Sequence, residues 1–248
     1  AISLGSYIET LGEMGDFAVH ILEDYCENVY QMSVNLTDEK ISKKISKKII
    51  KQLTALSNHI RYEFSDDKKE IVFLSYQASM WDSMESVWKA ASEDESCVTY
   101  VIPIPYYNMN PDGSMGQMQY DGDKYPSDVP ITSWKEYSME ERRPDIVYVH
   151  NPYDDWNKVT RIHPAYFSRE LKKHVDTLVY IPYFVAVNDK VESHLCVTPV
   201  TIRADKIFVQ SSQVRKTYIE ELKKFESENN CKGISGDIEE KVIAIGSP

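Results

Sequence analysis

The stretch DIVYVHNPYDDW, Asp145 to Trp156, opens as a continuous β-rich apolar run and closes in a histidine, an asparagine, a tyrosine and two aspartates. Five runs of the same kind flank it: IVFLSY (71–76), CVTYVIPIP (97–105), TLVYIPYF (177–184), KIFVQS (206–211) and KVIAIG (241–246). Short runs that are apolar at successive positions suit strands covered on both faces. Helical or mixed segments separate them. After the first run, ASMWDSMESVWKAASED places Met80, Met84, Val87, Trp88 and Ala91 on one helical face; after the fifth comes SSQVRKTYIEELKKFESE. Strand and helix in alternation predict an open α/β fold, a parallel sheet with right-handed crossovers.

Before the first strand the period is different. In residues 1–66, Ile8, Leu11, Phe17, Val19, Ile21, Leu22, Tyr25, Val29 and Tyr30 recur at three- and four-residue intervals, as one buried helical face requires. The segment DEKISKKISKKIIKQLTALSNHI sets Ile41, Ile45, Ile49, Leu53 and Leu56 on one side and six lysines, Lys40 to Lys51, around the rest, with Thr37 or Asp38 as N-cap. Such a helix can lie on anionic lipid, but a solvated face is the commoner use of lysine. The organisation expected is a helical extension over 1–66 and an α/β domain over 67–248.

The 248 residues carry a net charge of −11, which argues against sequence-independent binding to nucleic acid. No apolar run approaches the ~20 residues of a membrane span. Cys26, Cys97, Cys196 and Cys231 lie far apart without a C-x-x-C pair, so reduced thiols are expected rather than a zinc site or a disulfide framework. The N-terminus has no signal-peptide pattern, and the chain reads as cytoplasmic.

In an open parallel sheet, ligands bind beyond the carboxyl ends of the strands. Those ends read Tyr76-Gln77-Ala78-Ser79, Tyr106-Tyr107-Asn108, His150-Asn151-Pro152-Tyr153-Asp154-Asp155, Pro182-Tyr183-Phe184, Gln210-Ser211-Ser212 and Gly246-Ser247-Pro248. The dense tyrosines offer flat apolar faces with a hydroxyl, suited to a polyol or sugar and equally common as amphipathic strand ends. His150 is the candidate general base, with Asp154 or Asp155 to orient its imidazole. Tyr106, Tyr107, Asn151, Tyr153 and Tyr183 are candidate substrate contacts. Ser79, paired with Asp82, and Ser211 have the look of helix caps, either of which could also receive a phosphate. His163 is a weaker second candidate, and His174 and His194 sit in polar stretches.

The first βα turn, SYQASMWDS, has no glycine, so neither a dinucleotide fingerprint nor a Walker loop is present; no cofactor and no metal are expected. The connection PYYNMNPDGSMGQMQYDGDKYPSDVP (105–130) is long and rich in turn residues, which predicts a lid or wall over a site.

Taken together, FLSYQASMWDSMESVWKAA, YVIPIPYYNMNPDGS, ERRPDIVYVHNPYDDWN, LVYIPYF, ADKIFVQS and VIAIGSP resemble the N-terminal half of bacterial CDP-glycerol glycerophosphotransferase-related proteins, the polymerases of teichoic-acid-type polymers. The resemblance covers roughly residues 69–248. It implies a Rossmann-like domain forming the acceptor side of a GT-B architecture. It also implies a separate C-terminal domain for the CDP-linked donor, so that this portion alone would turn over little. The family's Trp-His-Gly motif has no histidine counterpart here, where Ile181-Pro182-Tyr183 stands, which directs attention to His150.

The function expected is transfer of glycerol phosphate or a related polyol phosphate from a CDP-linked donor to a cell-envelope polymer. The alternatives are a GT-B glycosyltransferase using a nucleotide sugar, or a non-catalytic scaffold whose helical extension dimerises or touches the membrane.

Overall fold

The computed structural model describes residues 1–9, 15–63 and 68–246; Leu11, Ser247 and Pro248, named above, lie outside them. The chain forms two compact units, Ala1–Asp67 and Lys68–Pro248.

The first unit holds α1 (Ile2–Glu9), α2 (Asp16–Val34) and α3 (Glu39–Glu63). Asp38 begins α3, its Oδ1 accepting from the amides of Lys40 and Ile41 at 3.0 Å, so the orphan N–H groups of the first turn find a partner. The core is Ile8, Ala18, Leu22 and Leu56. A side chain on Gly15 would meet the Ile8 carbonyl at 2.5 Å, so glycine allows α1 to approach α2 closely.

The apolar stripes are narrower than their spacing suggests. Phe17, Val29 and Tyr30 on α2 and Ile41 and Leu53 on α3 are exposed, because one neighbouring helix covers only the width of its own contact ridge.

The second unit contains β1 (Lys69–Ser75), α4 (Asp82–Glu93), β2 (Cys97–Pro103), β3 (Tyr106–Met109), β4 (Met115–Gln119), α5 (Met139–Arg142), β5 (Ile146–Val149) and β6 (Thr160–Ile162). It continues through α6 (Ser168–Leu171), β7 (Thr177–Tyr180), α7 (Ser193–Cys196), α8 (Pro199–Arg203), β8 (Lys206–Val209), α9 (Ser212–Glu228), α10 (Ile238–Lys241) and β9 (Val242–Ala244). Six strands form one wholly parallel sheet in the order β2-β1-β5-β7-β8-β9.

The continuous apolar runs are explained by the two faces of this sheet. Along β1, Val72 and Leu74 enter one core with Ile102, Val147 and Leu178, while Ile71 and Phe73 enter a second with Met84, Trp88 and Val101. Successive side chains point to opposite faces, and both faces are covered. The Rossmann-like open parallel sheet expected from the sequence is therefore what the chain forms, beside a helical N-terminal unit.

The connection 105–130 carries secondary structure of its own. It begins as a β-hairpin, β3 with β4, closed at Asn110–Gly113, where the Gly113 amide bonds the Asn110 carbonyl at 2.9 Å and Gly113 has φ +81°. A positive φ costs glycine nothing, which is why the turn stands there. β6 then pairs with β3, giving a small antiparallel sheet in the order β4-β3-β6. It grows from the segments that follow β2 and β5, at the carboxyl edge of the large sheet.

Candidate functional site

From β1 the chain steps to β2 on one side, whereas β5, β7, β8 and β9 extend on the other. The strand order therefore reverses between β1 and β5, and ligands of open α/β sheets bind in the crevice outside such a reversal. The first residues beyond these strands are Tyr76 and His150.

His150 lies beneath the crevice rather than in it, with no exposed surface. The Tyr76 amide donates to its Nε2 at 3.4 Å, Ser75 Oγ lies 3.3 Å from the same nitrogen, and Ser83 Oγ lies 3.2 Å from Nδ1. Ser83 Oγ in turn donates to the Met80 carbonyl at 2.7 Å. These contacts assign the proton to Nδ1, the tautomer that donates to Ser83 and accepts from Tyr76.

Burial pushes the imidazole down to about 4, opposed by the Met80 carbonyl. A charge there would lie away from water without a counter-ion, so the ring stays neutral. His150 ties β1, β5 and the approach to α4 together, and a substrate does not reach either nitrogen in this arrangement.

Neither aspartate orients it, which corrects that expectation. Asp154, buried and at φ +46°, accepts from the Ser168 amide at 2.9 Å and from Ser168 Oγ at 2.6 Å. Burial raises its carboxyl, and the Ser168 bonds resist that rise. Asp155 is exposed, 3.7 Å from Arg169, and its carbonyl accepts from Arg161 at 2.9 Å. Asn151 is a turn residue: its Oδ1 accepts from the Tyr153 amide at 3.0 Å, which competes with continuation of the strand.

Of the expected tyrosines, Tyr183 meets the His150 ring, while Tyr106 and Tyr153 join it through Tyr76 and Tyr183. Tyr76 stands edge-on to the imidazole at 5.7 Å and to Tyr106 at 5.3 Å; Tyr183 stands edge-on to it at 6.4 Å. The hydroxyls of Tyr153 and Tyr183 are 3.3 Å apart. Burial raises the phenols of Tyr76 and Tyr153, so both remain protonated hydrogen-bond donors.

The other expected contacts lie elsewhere. Tyr107 turns to the opposite side of β3, 6.2 Å from His163, which is itself 5.7 Å from Trp134. Ser79 is exposed in a short turn and does not cap α4, whose N-cap position is Trp81. Ser211 caps α9, accepting from the Val214 amide at 3.2 Å.

A groove of about 900 Å³ opens between the hairpin turn and the end of DIVYVHNPYDDW. Met109, Asn110 and Pro111 face Asp155, Trp156 and Arg161 across it. Trp156 is 54% exposed, an unusual state for so large an apolar ring. Arg161 Nε is buried and has no partner among the described residues. Trp156 stands inside the stretch that reads as a site, but the groove depends on β3 pairing with β6, which no local spacing reveals.

Among the described residues, no group of three or more histidines, cysteines, aspartates or glutamates could hold a metal ion. No described helix is long and apolar enough to cross a membrane. Compared with protein-family models, with curated proteins and with solved structures, the chain matches none.

Proposed function

We propose that Lys68–Pro248 is the acceptor-side domain of a transferase that moves glycerol phosphate or a related polyol phosphate from a CDP-linked donor to a hydroxyl of a cell-envelope polymer. The observation that carries this reading is the groove between the hairpin turn and residues 155–161, lined by an exposed indole, an arginine with an unpartnered buried N–H and a carboxylate. Trp156 offers a face for the C–H surface of a polyol, Arg161 a donor for a phosphodiester oxygen, and Asn110 an amide for hydroxyls.

The acceptor hydroxyl attacks the donor's β-phosphorus, forming one O–P bond as the bond to CMP breaks. Asp155, in the groove wall, takes the proton in place of His150, which acts as a positioning residue. The donor class rests on the family resemblance, and the lining of the groove supports a polyol-phosphate acceptor.

The test is a titration of the protein with glycerol-phosphate oligomers, read by tryptophan fluorescence and thermal stability, for the native chain and for Trp156→Ala. Saturable binding is expected, weakened roughly five-fold by the substitution, since an aromatic platform contributes about 1 kcal/mol. Trp156→Ala should leave the melting temperature unchanged because the ring is exposed. Equal binding by both proteins would remove the groove from the reading.

A further inference from the structure

A second groove, of about 600 Å³, opens at the opposite edge of the large sheet, at the amino ends of β8 and β9. Five cations line it: Arg169, Lys172, Arg203, Lys206 and Lys241. Three acids, Asp205, Asp237 and Glu240, line it too, which leaves an excess of two positive charges in a chain of net charge −11.

Lys172 is neutralised by Asp205, at 2.7 and 2.8 Å. For Arg203, Lys206 and Lys241, no carboxylate among the described residues lies within the 4.0 Å of an ion pair. Their contacts are carbonyls instead. Arg203 donates to Pro199 O at 3.1 Å, Lys206 to Glu240 O at 3.3 Å, and Lys241 to Ile202 O at 3.0 Å and Ser235 O at 2.8 Å. A carbonyl satisfies an N–H but leaves the net charge.

Lys241 is 3% exposed, and burying an ammonium whose neighbouring carboxylates, Asp205 and Glu226, stand beyond ion-pair distance is costly. Burial, reinforced by Lys172, pushes its amine down to about 8 against the pull of Asp205 and Glu226.

The nearby acids keep their charge but have lone pairs occupied by other donors. Asp205 also accepts from the Leu178 amide, Asp237 from the Glu240 amide that opens α10, Glu226 from the amides of Gly233 and Ser235, and Asp154 from Ser168. The exposed Glu240 is the one acid at the rim whose carboxylate accepts no such bond among the described residues.

We infer that this groove binds a phosphate-bearing small molecule, with Arg203 and Lys206 engaging the phosphate from the rim and Lys241 from below. Three cations converging from separate elements suit an anion of more than one charge with several acceptor oxygens. The volume is within the ~300–1,000 Å³ of small-molecule sites, leaving room for the organic part of a phosphomonoester. Arg169 at the margin of this site lies 3.7 Å from Asp155 of the Trp156 groove, but Arg203, Lys206 and Lys241 take no part in that groove, so their substitution tests this site separately.

Pyrophosphate is the probe, titrated calorimetrically at low ionic strength into the native chain, the double variant Arg203→Gln/Lys206→Gln, and Ser211→Ala. The first two positions lie at the rim, so the double variant should keep the native circular dichroism and melting temperature. Saturable one-site binding, weakened at least ten-fold in the double variant and unchanged in Ser211→Ala, is expected. Absence of saturable binding overturns the inference, as does full binding by the double variant. A loss confined to Ser211→Ala would place the anion at the start of α9, on the opposite edge, and overturn it too.

Discussion

Ser83 Oγ and His150 Nδ1 lie 3.2 Å apart, and through that contact the first turn of α4 is fastened to the end of β5. The Trp81 position that precedes α4 makes no side-chain cap bond, so the helix start depends on tertiary contacts such as this one. The histidine thus contributes to the site by fixing where its walls stand.

That role has a pH signature. The imidazole sits at about 4 in the folded chain against an ordinary value of 6.5, so between these values the unfolded chain binds the proton and the folded chain does not. Its contribution is fully present above pH 6.5 and is lost as pH falls through 4, by about 3 kcal/mol in all. Urea unfolding of the native chain and His150→Asn from pH 7.5 to 4.5 should show a steeper acid loss for the native chain. Parallel curves would mean that His150 titrates alike in both states.

Asp154 combines a left-handed backbone with a buried double hydrogen bond to Ser168. Asp154→Ala should lower stability by roughly 2–3 kcal/mol, combining a lost cap-type bond with strain at positive φ. Asp154→Asn, which tolerates that φ and keeps an acceptor, should lose about half as much. A melting temperature unmoved by either change would show that both the strain and the bonds are inconsequential.

Arg142 grips both oxygens of Glu70, at 2.7 and 2.5 Å, while its guanidinium lies 4.9 Å from the Tyr100 ring centre and 5.2 Å from that of Tyr137. Lysine matches neither the fork nor the stacking, so Arg142→Lys should cost about 1 kcal/mol, the partial exposure of the pair holding the figure down. The urea midpoint measures it; a shift below a few tenths of a kcal/mol would show the ion pair to be idle.

The helical unit invites a separate measurement. Exposed Ile50 and Leu53 share α3 with Lys43, Lys47 and Lys51, a surface that fits anionic lipid. Co-sedimentation with phosphatidylglycerol vesicles should be strong at low salt, weaken as salt rises, and vanish with neutral vesicles. No sedimentation at low salt would leave the lysines as a solubilising face.

The large sheet was legible because each of its strands is apolar at consecutive positions, a pattern that survives without knowledge of its neighbours. The small sheet was not, since β4 reads MGQMQ and β6 only TRI. The turn signal Asn-Pro-Asp-Gly, flanked by Tyr106-Tyr107 and by Met115 to Gln119, was the available hint of a hairpin. At the site, the chain of contacts from Tyr106 through Tyr76 to His150 and on through Tyr183 to Tyr153 follows from their common place at strand ends. The burial of His150 does not, because Ser83 reaches it from a helix whose approach no local pattern specifies.

The pairing of β3 with β6 brings together segments far apart along the chain, one following β2 and the other following β5, and lays Tyr106 and Ile162 on the core of the large sheet. The small sheet can close only after β2 and β5 have taken their places on either side of β1, so loop-closure entropy delays it. The groove beside Trp156 is accordingly expected to be among the last parts of the domain to assemble and, in amide exchange, among the first to open.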